Sequence, residues 1–348
     1  MVNRLCYLSH NYRELNSSGN KAKHDNETTL CEMGAVNLGM PTSYHHSKIV
    51  AFFLNLAGVC KLALHVRKGD VVVLQYPVKK YFSTICRMAH LRGAKVMALI
   101  HDLGSMRRKK LSVTTEINRL MGADYVIATN STMQAWLKEK GYRKGMGALQ
   151  LHDYRSATIA PLRSANHAET LPRVVYAGAL APRKNMFLLQ MQEAATHFQL
   201  EIYGNRSGIP GLSESENVHI HDFMAADDFI KNVQGEYGLV WDGDSLDECT
   251  GNFGEYLRWN TPHKASFYLR AGLPIIVWRE SALALVVQQY GIGLCVDSIR
   301  QLNTTLAAIS PEEWNEMQQR VRSIEQRMQQ GDFFRTALQT GLQQLEHQ

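Results

Sequence analysis

No two of the six cysteines stand at the two-residue spacing of a zinc knuckle or a redox pair; Cys6, Cys31, Cys60, Cys86, Cys249 and Cys295 are scattered along 348 residues. That excludes a zinc module of that kind, and the thiols read as small buried hydrophobes in a reducing compartment. The opening MVNRLCYLSH lacks the apolar core of a secretion signal, so a cytoplasmic location is expected. No apolar run reaches the roughly 20 residues that span a bilayer. The longest, IVAFFLNLAGVCKLAL at 49–64, contains Asn55 and Lys61. It reads first as a core helix and second as an interfacial one. There is no low-complexity stretch to suggest disorder, and no recognisable nucleic-acid-binding motif.

What is present begins with a charge asymmetry. Residues 1–165 carry 24 Lys and Arg against 10 Asp and Glu, a balance of +14, whereas residues 166–348 carry 14 against 22, a balance of −8. The excess includes RRKK at 107–110 and the pairs Arg67-Lys68 and Lys79-Lys80. A basic half of this size suits an anionic membrane surface or a polyphosphate, while any single pair is explained by solvation alone.

Apolar runs alternate with helical segments throughout. LCYLSH (5–10), VVVLQYP (71–77), KVMALIHD (95–102) and DYVIATN (124–130) read as strands in the first half. VVYAGAL (174–180), QLEIYGN (199–205), VHIHDF (218–223), YGLVWD (237–242) and PIIVW (274–278) repeat the rhythm in the second. The alternation predicts βαβ units and parallel sheets. Two doubly wound α/β domains are expected, at 1–160 and 161–310, with a polar linker from about 153 to 172. Helices at 311–348 are expected to pack back towards the first domain.

The most informative tract is GNFGEYLRWNTPHKASFYLRAGLPIIVW at 251–278. Thr261 is a competent N-cap, Pro262 suits the first helical turn, and Gly272 with Pro274 closes the helix before a buried strand. His263 and Lys264 then sit on the first turn, where unpaired amides already attract anions. A diphosphate is the ligand such a turn would hold. An ordinary helix start with a solvated lysine is the competing reading. VYAGALAPRKN (175–185) places Gly178 ahead of Arg183 and Lys184, a second cationic wall behind a small-residue turn.

This tract, together with LVWDGDS (239–245), LIHDLGSMR (99–107) and SSGNKAKHD (17–25), resembles a bacterial glycosyltransferase family. Its members include β-1,6-galactofuranosyltransferases of surface-polysaccharide synthesis and glucosyltransferase 3-like enzymes acting on glycosylated adhesins. The similarity runs from about residue 5 to about residue 300.

The resemblance implies the GT-B architecture, two Rossmann-like domains with a nucleotide sugar as donor. It implies that SSGNKAKHD is a glycine loop, with Ser18 and Gly19 on the donor side. Donor contacts are expected from Gly178, Arg183, Lys184, His263 and Lys264. Gly204 lies at the nucleoside edge, where Tyr203 or Phe223 could stack on the base or equally pack in the core. Asp102, then His101, is the expected general base of an inverting transfer. Asp102 as a cap or as partner of Arg107 is the structural alternative. DGD at 242–244 imitates a metal-binding Asp-x-Asp, but the cations already present make a metal unnecessary, and neither metal nor other cofactor is expected.

The leading expectation is an inverting UDP-sugar-dependent transferase adding galactofuranose to a lipid-linked polysaccharide intermediate, peripheral on the inner membrane face. The alternatives are glucose transfer to a glycosylated protein and an inactive binding module supporting another transferase. Nucleic acid is not expected as a partner, and the sequence leaves open whether the chain forms a homo-oligomer.

Overall fold

A computed structural model describes residues 3–12, 18–78, 81–109, 111–163 and 171–347. Its contacts divide the chain into two compact units, residues 1–153 with 331–348 and residues 154–330.

The first unit is built on six parallel strands: β1 (Arg4–Tyr7), β2 (Val36–Asn37), β3 (Asp70–Tyr76), β4 (Lys95–Ile100), β5 (Tyr125–Ala128) and β6 (Gly145–Ala148), in the order β2-β1-β3-β4-β5-β6. Every residue of DVVVLQY in β3 is buried, as expected of a central strand covered on both faces. Cys6 lies opposite Val36 on one side and Val72 on the other, so β1 is the strand at which the winding reverses. The helix Asp332–Glu346 packs on β5 and β6. Its first turn is held by Asp153, whose carboxylate accepts the Phe333 and Phe334 amides at 3.2 and 2.8 Å. Burial pushes that carboxyl up to about 7, against the pull of the two amides.

The second unit repeats the plan with β7 (Arg173–Ala177), β8 (Gln199–Tyr203), β9 (Val218–His221), β10 (Tyr237–Val240), β11 (Ile275–Trp278) and β12 (Gly293–Val296). All pairings are parallel, in the order β12-β11-β10-β7-β8-β9. The reversal falls between β7 and β10, and ligands of such sheets bind outside the carboxyl ends of the strands at that point. The helix His263–Arg270 packs over β10 at Gly238, where a Cβ would lie 2.3 Å from the Tyr268 ring. The missing side chain lets the helix carrying Lys264 lie close on the sheet.

Three expectations change. The units exchange chain at 153/154 rather than at 160, and residues 154–163 belong to the second unit rather than to a linker. They are tied there by two arginines: Arg270 donates to the Ser156 carbonyl at 2.8 Å and to the Thr158 carbonyl, and the half-buried Arg163 donates to the carbonyls of Val233, Gly235 and Ala271. Arg270 is fully buried and pairs with Glu325 at 2.6 Å. That carboxylate lies on the helix Pro311–Gln330, which therefore packs in the second unit, and only Asp332–Glu346 returns to the first.

Candidate functional site

At the carboxyl end of β7 the chain turns through Gly178, whose φ of +140° is a conformation glycine tolerates far better than other residues. Next comes the short helix Pro182–Asn185, started by Pro182 and bearing Arg183 and Lys184. Arg183 is exposed and its guanidinium lies 5.5 Å from the centre of the Phe253 ring; the Lys184 ammonium is 6.0 Å from the same centre. Lys184 pairs with Asp242 at 3.4 Å.

Lys264 approaches from the helix His263–Arg270. Its side-chain Cε would be 3.7 Å from a Cβ at Gly178, and its ammonium lies 3.7 Å from the Tyr176 ring centre. A cation over that face is attracted by the ring's quadrupole. Loss of water, reinforced by the Lys184 charge and opposed by Asp242, pushes the Lys264 pKa down to about 7. Near neutral pH it is thus poised to take a proton when an anion arrives.

A buried frame fixes this group. The Asn185 carboxamide accepts the Ala181 amide at 2.9 Å and donates to the Tyr176 hydroxyl. Tyr176 donates to the Trp241 carbonyl at 3.2 Å, and the Ala177 amide donates to the Tyr268 hydroxyl at 2.7 Å. Tyr176, Asn185, Phe253 and Tyr268 carry no signal of their own in the sequence, because residues of these types are ordinary core side chains until the topology aligns them. The available signal was the position of Tyr176 and Asp242 at the ends of adjacent strands.

Several expected residues sit differently. The helix begins at His263, so Pro262, extended at ψ 140°, takes the N-cap position and Thr261 precedes it, buried. His263 lies 5.1 Å from the Tyr154 ring centre. Tyr203 is core: it is buried, stacked on His221 at 4.5 Å and edge-on to Phe229, and its hydroxyl accepts the Gln234 amide. Phe223, by contrast, is 67% exposed just beyond β9. Gly204 abuts Gly178, with the Gly178 carbonyl 2.6 Å from where a Cβ would be. The two carboxylates of DGD are separately engaged, Asp242 by Lys184 and Asp244 by the Thr250 hydroxyl.

The corresponding edge of the first sheet brings carboxylates and imidazoles together, with cations around Asp102. Asp102, just past β4, is ion-paired with Arg107, the structural role weighed from sequence. Burial raises its carboxyl above the ordinary value although Arg107, Lys23 and Arg108 pull it down. Gln75 Oε1 accepts from Asn26 at 3.0 Å and lies 2.9 Å from His101 Nε2, which makes that nitrogen the protonated one. The His101 ring stacks on His152 at 5.7 Å.

SSGNKAKHD forms no glycine loop over its described part. The helix Ser18–Glu32 already includes Gly19, Lys21 and Lys23, and Lys21 pairs with Asp25. Residues 13–17 and the Ser18 side chain lie outside the described residues. One turn further on, Glu27 is buried and accepts from the hydroxyls of Ser9 (2.7 Å), Tyr12 and Thr42 (3.4 Å). Burial pushes this carboxyl up to about 6 against those three bonds. A lone Glu in a helical run carries no signal of such surroundings.

Two doubly wound parallel sheets of this order define the GT-B fold. The likeness extends to the lipopolysaccharide outer core galactosyltransferase WaaB in its apo form (TM-score 0.57, 13% identity, 95% of this chain and 97% of that one). It extends also to an O-GlcNAc transferase mutant from Thermobaculum terrenum (TM-score 0.58, 10% identity, 99% and 68%). At these identities the likeness shows the fold.

The family follows from sequence. The glucosyltransferase 3-like N-terminal domain matches residues 5–151 and the glucosyltransferase 3-like C-terminal domain matches residues 174–341, so the chain belongs to the glucosyltransferase 3-like family and is a glycosyltransferase. It is 28% identical over 279 residues to the β-1,6-galactofuranosyltransferase WbbI of Escherichia coli K12, covering 80% of each chain. It is 24% identical over 279 residues to glucosyltransferase 3 of Streptococcus gordonii, covering 78% of each.

Proposed function

We propose that this glycosyltransferase moves galactofuranose from UDP-galactofuranose to a lipid-linked intermediate of a surface polysaccharide, with inversion and without a metal. The observation that carries the donor reading is the cationic group of Lys264, Lys184 and Arg183 around Gly178 at the strand-order reversal of the second sheet. A departing UDP leaves with its charge on the diphosphate, and preorganised cations stabilise that charge most in the transition state. Asp242 holds Lys184 in place without neutralising the whole group. The Phe223 ring, open to solvent, is the aromatic we assign to the base.

Asp102 is the base in this reading, taking the acceptor hydroxyl's proton as the oxygen attacks the anomeric carbon. Its raised pKa suits that task, and Arg107 orients the carboxylate. Galactofuranose is supported by the 28% identity to a relative named as a β-1,6-galactofuranosyltransferase, and the lipid-linked acceptor by the basic excess of residues 1–165. The second reading has a glycosylated protein as acceptor and UDP-glucose as donor; its glucose is supported by the family assignment and by the streptococcal relatives named glucosyltransferase 3.

A panel of UDP-sugars, UDP-galactofuranose and UDP-glucose included, tests the donor with purified protein. Turnover of UDP-galactofuranose is expected to lead; preference for UDP-glucose would select the second reading. Activity is expected to survive EDTA, and its abolition with rescue by Mn²⁺ would replace the cation-only account.

A further inference from the structure

The helix Lys48–His65 presents two apolar faces, and one of them is outside. Ala51, Gly58, Val59 and Leu62 are buried in the first unit. On the opposite face Ile49, Phe53, Ala57, Cys60 and Leu64 recur at helical spacing and are exposed, Ile49 to 71%, Phe53 to 61% and Leu64 to 73%. This stripe runs about 22 Å along the helix. The helix is long and apolar enough to cross a membrane by length and composition. Its inner face is committed to the protein, however, which leaves it to lie along a surface rather than through one.

Charge indicates which surface. No Asp or Glu occurs between Glu32 and Asp70. Exposed basic groups and imidazoles mark both ends of the helix: His45 and His46 precede it and Lys48 opens it, with exposed Tyr44 beside them, while His65 closes it and Arg67 and Lys68 follow. The carboxylate beside the second set, Asp70, is buried and paired with Arg4, so the exposed stripe is flanked by basic groups, which is how an interfacial helix meets anionic headgroups. Of the two expectations for this segment, a core helix first and an interfacial one second, the first holds on one face only, since half of the helix is exposed.

We infer that this face docks the enzyme on an anionic lipid bilayer, with the Ile49–Phe53–Leu64 stripe entering the headgroup boundary and the flanking cations contacting phosphates. The inference goes beyond the proposed reaction and is read without turnover.

Co-sedimentation with phosphatidylcholine vesicles, with and without phosphatidylglycerol, tests it. Wild-type protein is expected to bind the anionic vesicles and to keep part of that binding in high salt. Combined Ile49→Gln, Phe53→Gln and Leu64→Gln leaves charge unchanged and should lower partitioning at least about tenfold, since each side chain loses apolar burial. Lys48→Gln with Arg67→Gln and Lys68→Gln should remove the preference for phosphatidylglycerol. As a second readout, an environment-sensitive dye on Cys60, in a Cys31→Ser chain, should shift to the blue on anionic vesicles. Equal sedimentation of wild type and the glutamine triple would overturn the inference. So would a wild-type oligomer that the triple dissociates while neither binds vesicles, because the stripe would then join copies of the chain.

Discussion

The carboxyl edge of the second sheet gathers three cations, Arg183, Lys184 and Lys264, against Asp242, whereas the same edge of the first sheet gathers Glu27, Asp102 and His101, with Arg107 on Asp102. The charge along the chain runs the other way, +14 over residues 1–165 and −8 over the remainder. Net charge is a property of the solvated surface, and the strand-end groups are a small, partly desolvated set placed by topology. The bulk asymmetry therefore gives no guide to which unit holds an anionic donor. The excess of the first half is instead put to use, in our reading, on the outer face of the helix Lys48–His65.

The sharpest way to break this contrast is at the acidic edge. Asp102→Asn keeps the shape and some of the hydrogen bonding to Arg107 but cannot accept a proton. Single-turnover rates should fall roughly 10²–10⁴-fold while UDP affinity stays near wild type. His101→Ala is the control, and a larger loss there than in Asp102→Asn would move the base to the imidazole.

A smaller effect should appear at the cationic edge as pH changes. Unliganded Lys264 has its pKa down at about 7, and a bound diphosphate would raise it. Binding between pH 7 and 9 should take up as much as about one proton and weaken as pH rises, with almost no uptake at pH 6. Calorimetry in buffers of different ionisation enthalpy reads this directly, and Lys264→Met should abolish it. Uptake that persists in that variant would assign the proton elsewhere.

The smallest effect concerns Glu27. Its pKa is raised in the folded state, so the folded protein binds more protons than the unfolded chain between about pH 4.3 and 6. Its contribution to stability should be greatest below that window and decline by about 2 kcal/mol as pH rises through it. Denaturant midpoints of Glu27→Gln against wild type should therefore shift relative to one another between pH 4 and 7. Parallel pH profiles would mean the carboxyl is not shifted as described.

Much of the architecture was legible because its signals are local. DVVVLQY, KVMALI and IIVW are dense in β-branched or apolar residues and form strands β3, β4 and β11. The strands that escaped were β2, with two residues, β6, whose GMGA has little strand propensity, and β12, which itself begins at a glycine, Gly293. The cationic residues of the site could be named from sequence because Pro182 and Pro262 mark the helix starts beside them. Their partners could not, since Asp242 with Lys184 and Tyr176 with Lys264 join residues far apart in the chain. Tyr203 was ambiguous for the same reason, its surroundings being set by His221 and Phe229.

The central claim is that the cationic edge of the second sheet holds a diphosphate, and UDP titration of wild type against Lys264→Ala and Arg183→Ala tests it most directly. Charge-assisted contacts typically contribute about 1.5–3 kcal/mol, so each variant should lose roughly tenfold or more in affinity while its circular dichroism and melting stay native-like. Unchanged UDP affinity in both folded variants, or no UDP binding by the wild-type protein, would contradict it.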